Sequence, residues 1–283
     1  MAQFVFSAFA DEISPNFDEQ LSGLQKLGIG MIELRGVDGK SFTALTDGEV
    51  EAVKHKLENA GIGISALGTP IGKIKLDGDM EAHEKLLERI MDIGDMLGCK
   101  RLRVFSFYPA DGMSGDEFRA GAFEAVGRIL SLAEARGFTL CHENEKDIYG
   151  ETPERELELL SHFGGRLKAV LDPGNFAFCR LDAAKGYPML KDYIEYFHIK
   201  DADEEGTIVP PGCGVAHLAE TLAAVNADRT GKVILTIEPH LMDFTGLASL
   251  AAETLKHKYI FETPFDAFRT AAESVMRMAE SLE

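Results

Sequence analysis

The chain has 283 residues, 45% hydrophobic and 27% charged, which is ordinary globular composition with ample length for a large α/β core. A formal charge of −18 lacks the basic footprint that nucleic-acid binding needs. No run nears the ~20 apolar residues of a membrane span. Met1-Ala2-Gln3-Phe4 leads straight into a strand without a positive n-region, so no signal peptide is expected and the sequence reads as cytoplasmic.

Residues 4–9 predict a first strand, closed by Asp11-Glu12. Phe17, Leu21, Leu24 and Leu27 then recur at helical spacing over 16–27, and Gly28 stops that helix. A second strand is predicted over 30–35. Asp47 is expected to cap a helix through 60, and a third strand over 62–67 ends in Gly68-Thr69-Pro70. A helix over 79–97, a strand over 101–106, a helix over 116–136 and a strand over 138–143 repeat the unit. Thr152-Pro153 opens the next helix, with proline in its first turn. A strand over 166–172 follows, then one helix expected to run through 191, and a strand over 196–200. A helix over 215–225, a strand over 232–238 and a last helix over 264–282 complete the series.

Eight strand-then-helix units imply a parallel sheet covered by helices. In a chain of this length they favour a single (β/α)8 TIM barrel spanning residues 1–283 as one domain. An open doubly wound sheet is the alternative, and it lacks the expected Gly-x-Gly-x-x-Gly after the first strand. Gly28, Gly61, Gly98 and Gly137 sit at helix-to-strand junctions, where the backbone needs φ > 0. Cys99, Cys141, Cys179 and Cys213 form no Cys-x-x-Cys pair and are expected to be buried thiols. Cys213, between two glycines, is the one candidate for a reactive thiol. Residues 241–260 exceed a typical loop and read as a lid or a contact between subunits, which leaves a homo-oligomer open.

Four predicted strands in succession end in a residue able to bind a metal: Glu143, Asp172, His198 and Glu238. In a barrel, catalytic groups lie at the carboxyl ends of strands, and consecutive strand ends are neighbours. A lone glutamate at a strand end is more often a salt-bridge partner. Three carboxylates and an imidazole in register would repel one another unless a cation joined them. The oxygen-rich set suits one divalent metal ion, Mn²⁺, Mg²⁺ or Co²⁺, with Zn²⁺ also compatible.

Strand alternation orders the neighbours. With Glu143 inward, Cys141 and Glu145 share its side, and His142 points back toward the helices. Glu145 is then an unplaced carboxylate at the rim. With His198 inward, so is Lys200; with Glu238 inward, so is His240. Glu33 and Arg35 share a face of strand two, where Arg35 could meet a hydroxyl, carboxylate or phosphate. Arg35, Lys200 and His240 are thus the candidate substrate contacts. His55, His83, His162 and His257 fall in helical segments and are expected to face solvent.

Leu171-Asp172-Pro173-Gly174-Asn175, Phe197-His198-Ile199-Lys200-Asp201 and Ile237-Glu238-Pro239-His240 resemble the xylose-isomerase-like TIM-barrel superfamily. That group includes sugar isomerases, ketose 3-epimerases, inosose dehydratase, 3-dehydroshikimate dehydratase and endonuclease IV. Phe9-Ala10-Asp11-Glu12 and the Gly212-Cys213-Gly214 turn are similar to it as well, so the resemblance spans essentially the whole chain. It implies Glu143, Asp172, His198 and Glu238 as ligands of one cation, with Glu143 and Glu238 also acting as acid and base. It further implies proton transfer through a cis-enediolate in a small carbohydrate or polyol substrate, giving isomerisation or epimerisation. Dehydration of a cyclic polyol or keto acid is the alternative, and a non-catalytic sugar-binding barrel a weaker one. The flanking carboxylates are expected to be tuned toward neutrality by burial and mutual repulsion. Endonuclease IV-like members carry extra histidines at strands two and three; this chain has Arg35 there and no histidine near 67–70. The Glu143-Asn144-Glu145 run differs from that of ketose 3-epimerases, which leaves the substrate open.

Overall fold

The structure is a computed structural model describing residues 1–244 and 258–282. Eight parallel strands form its centre: β1 (Ala2–Ala8), β2 (Met31–Leu34), β3 (Gly63–Gly68), β4 (Arg101–Val104), β5 (Thr139–Glu143), β6 (Lys168–Leu171), β7 (Ile194–Ile199) and β8 (Gly231–Ile237). They are hydrogen-bonded in the order β1-β8-β7-β6-β5-β4-β3-β2, and β1 lies against β2, so the sheet curls into a nearly closed (β/α)8 barrel. The open doubly wound alternative is thereby excluded.

Helices α1 (Phe17–Leu27), α2 (Asp47–Ala60), α3 (Met80–Leu97), α4 (Gly115–Ala135) and α5 (Pro153–His162) follow β1 to β5 in turn. Gly28, Gly61 and Gly98 close α1, α2 and α3 in the left-handed conformation, and Gly137 has φ 72° beyond α4, as the sequence predicts. The cap of α2 is Thr46 rather than Asp47. Thr46-Asp47-Gly48-Glu49 forms a capping box in which Thr46 Oγ1 accepts from Glu49 N and Glu49 Oε2 accepts from Thr46 N.

The largest departure lies after β6. Instead of one helix to residue 191 there is a short α6 (Pro173–Phe178), a 3₁₀ turn (Ala183–Lys185) and α7 (Gly186–Leu190). Arg180 turns left-handed at φ 59°, Asp182 caps the new turn, and Pro188 has no N–H to extend a helix backward. Helices α8 (Leu218–Asp228) and α9 (Pro264–Glu280) complete the outer layer. Two small antiparallel hairpins escape the sequence pattern: Gly36–Val37 with Lys40–Ser41, and Asp201–Ala202 with Ile208–Val209. No helix among the described residues is long and apolar enough to cross a membrane.

Inside the barrel, Ala66, Cys141, Val170 and Tyr196 pack as one small cluster, while the larger core lies between strands and helices. Cys99 and Cys141 are buried, but Cys179 is half-buried and Cys213 exposed, so the expectation of four buried thiols fails for those two. His83 also departs from expectation: it is buried against Phe107, and its Nε2 accepts from Gly72 N at 2.8 Å. His55 and His162 are exposed as expected. His257 and most of segment 241–260 lie outside the described residues.

Gly174 positions α6 against the end of β7. A Cβ there would sit 2.4 Å from the Lys200 carbonyl oxygen. Gly174→Ala should therefore cost at least ~1–3 kcal/mol through overpacking. The check is a lowered Tm, and an unchanged Tm would refute the close approach.

Candidate metal centre

The four strand-end residues converge. Glu143 ends β5, Asp172 follows β6, His198 lies near the end of β7, and Glu238 follows β8. All four are buried, and one potential ligand atom from each lies within 4.8 Å of the others. Each carboxylate has one oxygen anchored by a neighbour and the other turned inward, that of Glu143 also accepting from Asn175 Nδ2 at 3.2 Å. Glu143 Oε2 accepts from Arg103 NH1 at 2.7 Å, leaving Oε1 3.0 Å from His198 Nδ1. Glu238 Oε1 accepts from Arg35 NH1 at 2.7 Å, leaving Oε2 3.4 Å from His198 Nδ1. Asp172 Oδ1 caps α6 by accepting from Asn175 N at 3.0 Å, and Oδ2 faces Lys200 Nζ at 2.9 Å.

The imidazole is oriented from behind. Glu33, on β2 across the barrel, lies 3.0 Å from His198 Nε2 through Oε2. It also accepts from Tyr196 Oη at 2.9 Å and from Thr236 Oγ1 at 3.0 Å. With Nε2–H donating to Glu33, His198 presents the Nδ1 lone pair toward Glu143 and Glu238. His198 Nδ1 is buried with no well-formed hydrogen bond among the described residues, and the buried Asp172 Oδ2 has Lys200 as its ion-pair partner. A lone pair aimed at two carboxylates demands a positive charge between them, either a proton or a metal ion. This is why the donor set fits a divalent cation.

Burial pushes the His198 ring toward neutrality, but Glu33 and Glu143 outweigh it and hold the ring's pKa well above its usual value. Burial also pushes Glu143 up, yet His198 and Arg103 bring it well below the usual carboxylate range. Glu238 behaves likewise, with Lys200 and His240 overcoming its burial. The expected drift of these two glutamates toward neutrality is thus reversed by the cations beside them. Asp172, between them in the row, is raised to about 7 by burial in spite of Lys200.

The other sequence candidates fall in and around this cluster. Lys200 points into it, 2.9 Å from Asp172 and 3.4 Å from Glu238. Arg35 is buried between Phe9 and Phe244, and its donors reach Asp11, Glu12 and Glu238, so its fork is taken by protein carboxylates. His240, left-handed at φ 50°, donates its backbone N–H to Glu12 Oε2 at 2.8 Å and sets Nε2 3.8 Å from Glu238. His142 turns to the helix side as alternation predicts, with Nδ1 3.2 Å from Glu156 of α5. Glu145 pairs with Lys73 at 3.0 Å.

Sequence reading left Glu33 without a role and did not single out Asn144, Asn175 or Arg103. Asn144 holds Asp172 through both backbone groups, and Asn175 Nδ2 donates to Glu143 Oε1 and to the Asn144 carbonyl. The available signal was a charge inside a short apolar strand, as in Met31-Ile32-Glu33-Leu34 and Leu102-Arg103-Val104. Such a charge is costly unless paired.

A cavity of about 400 Å³ opens beside the cluster, over β2, β3 and β4, lined by residues that include Asp11, Arg35, Gly68, Thr69, Lys73 and Arg103.

Among solved structures, the chain is similar to a D-allulose 3-epimerase from Methylomonas sp., at 19% identity and TM-score 0.72 over 98% of this chain and 100% of that one. A probable 3-DHS dehydratase from Bacillus anthracis has 15% identity and TM-score 0.72, over 98% and 99% of the two chains. A xylose isomerase-like TIM barrel protein from Mycobacterium smegmatis, in complex with magnesium, has 18% identity and TM-score 0.67, over 100% and 98%. No curated protein matches the sequence. A family profile described as xylose isomerase-like TIM barrel matches residues 22–257, and the chain belongs to that family.

Proposed function

We propose that the protein is a divalent-metal-dependent isomerase or epimerase of a small polyhydroxylated carbonyl compound. One observation carries this reading: four buried donors each turn one atom toward a common point while the rest of each side chain is anchored elsewhere. Glu143, Asp172, His198 and Glu238 would hold the ion, which when bound supplies Lewis-acid charge for the oxygen of an enolising carbonyl. Mn²⁺, Mg²⁺ or Co²⁺ suits the oxygen-rich set.

The remaining chemistry belongs to side chains. Glu143 and Glu238 stand at the two flanks of the ligand row, on β5 and β8, with Asp172 and His198 between them. Against burial, His198 and Arg103 lower the pKa of Glu143 and Lys200 and His240 that of Glu238, which favours the ionised form able to accept a proton. The ionised glutamate on one face takes the proton from the carbon beside the carbonyl and, in isomerisation, returns it to the adjacent carbon; epimerisation needs the opposite glutamate to enter protonated and deliver its proton to the other face. Arg103 and Arg35 fix the glutamates in place, and Lys200 holds Asp172 and Glu238.

The test is incubation of Mn²⁺-loaded protein with ketoses and keto acids in D₂O. Deuterium is expected at the carbon beside the carbonyl, with exchange lost on chelation and regained on adding Mn²⁺. Formation of an ultraviolet-absorbing enone instead would favour dehydration, the chemistry named for the Bacillus anthracis neighbour.

A further inference from the structure

We infer that the substrate carries an anionic group, carboxylate or phosphate, and that Arg103 and Lys73 bind it in the cavity beside the metal centre. The inference rests on the proposed reading of that centre and adds the class of compound it takes.

The observations lie in the cavity wall. In a chain of formal charge −18, the ionised residues lining it are Arg35, Lys40, Lys73 and Arg103 against Asp11 alone. Two of these cations are spent. Arg35 is saturated by Asp11, Glu12 and Glu238, and Lys40 sits exposed at the mouth on Glu49. The other two are not. Arg103, 2% exposed, gives NH1 to Glu143, but its buried Nε has no acceptor among the described residues. NH2, on the same edge of the guanidinium as Nε, lies over Gly68, where a Cβ would sit 3.2 Å from it. An Nε–NH2 edge is a two-donor fork that matches the two oxygens of a carboxylate or phosphate.

Lys73 lines the same cavity. Its Nζ lies 4.4 Å from the centroid of the Phe105 ring, and the Arg103 guanidinium 4.5 Å from the same centroid. Lys73 is nearly buried and donates to Glu145, which uses one of its three N–H groups. Each cation keeps one carboxylate partner, Glu143 for Arg103 and Glu145 for Lys73, and beyond those pairs Arg103 Nε remains a buried donor without an acceptor among the described residues. A neutral hydroxyl fills one such donor, whereas a two-oxygen anion matches both the fork and the excess of positive charge in the cavity lining. Arg103 also touches Glu143, so an anion held there lies within one residue of the ligand cluster.

The test compares three four-carbon probes of matched length: erythritol, D-erythronate and erythritol 4-phosphate. Binding is measured by calorimetry on the protein with and without Mn²⁺. One or both anions should bind at least about tenfold tighter than erythritol. The arm that binds tells carboxylate from phosphate. Lys73→Met, at a residue paired with none of the four candidate ligands, should erase most of that preference. Arg103→Lys should lower it by keeping the charge and losing the fork. Equal binding of all three probes overturns the inference, as does a preference that survives both substitutions. Failure of the reaction reading looks different. Anion preference with no deuterium exchange into any substrate would leave this site standing and remove the isomerase. Equal exchange into neutral and anionic substrates would do the reverse.

Discussion

Glu238→Gln is expected to cut deuterium exchange at saturating Mn²⁺ by about 10²–10⁴-fold, the usual contribution of a positioned general base. Glutamine keeps the shape of the side chain and one oxygen, but it cannot accept a proton from carbon. The surroundings limit collateral damage. Arg35 retains Asp11 and Glu12 when Glu238 loses its charge, and Lys200 retains Asp172. The barrel should therefore stay folded, with metal affinity reduced because one inward oxygen has lost its charge. For this reason turnover is compared at saturating metal and Tm is measured alongside. Unchanged exchange under those conditions removes Glu238 from the chemistry, whatever its part in holding the ion. A collapsed Tm would instead show that the Arg35 network depends on it, and Glu143→Gln would then take over the kinetic comparison.

Much of this site is legible along the chain because each candidate ligand stands at a place marked by local pattern. Val170-Leu171-Asp172 and Thr236-Ile237-Glu238 are apolar runs ending in one charged residue, and helix caps and glycine stops fix where each strand begins. The barrel follows from eight repeats of that punctuation. Less legible are the partners that meet across the barrel. Glu33 and His198 are brought together only by closure, which sets β2 opposite β7, and no spacing in the sequence encodes that pairing. Alternation correctly puts Glu33 and Arg35 on one face, but it does not say what that face meets. Arg35 was singled out for its chemistry and is consumed by protein carboxylates. Arg103, in a strand given no role from the sequence, lines the cavity and keeps a buried Nε without an acceptor among the described residues. The direction of the glutamate pKa values fails for the same reason. Burial is readable from hydrophobic context, whereas the cations that outweigh it come from β2, β4 and the end of β7.

Glu33→Gln tests the least legible of these contacts. The carboxylate accepts from three buried donors, Tyr196 Oη, His198 Nε2 and Thr236 Oγ1. Glutamine offers one acceptor oxygen and an amide that itself donates, so at least one of the three loses its acceptor or must rotate. A neutral amide oxygen holds the His198 Nε2 proton more weakly than the carboxylate, so Nδ1 is held bare toward Glu143 and Glu238 less firmly. Loss of such an orienting partner typically costs 10–100-fold in metal affinity. Mn²⁺ affinity measured by electron paramagnetic resonance should fall by about that factor, with exchange largely restored by excess Mn²⁺. Tyr196→Phe provides the control, since it removes one donor to Glu33 and leaves the bond to His198 in place. It should lower Tm while changing Mn²⁺ affinity far less. If both variants lose affinity equally, Glu33 is acting through general packing of the barrel interior. If neither does, His198 is oriented by its own neighbours on β7 and the ring edge of Phe9, whose centroid lies 5.1 Å away.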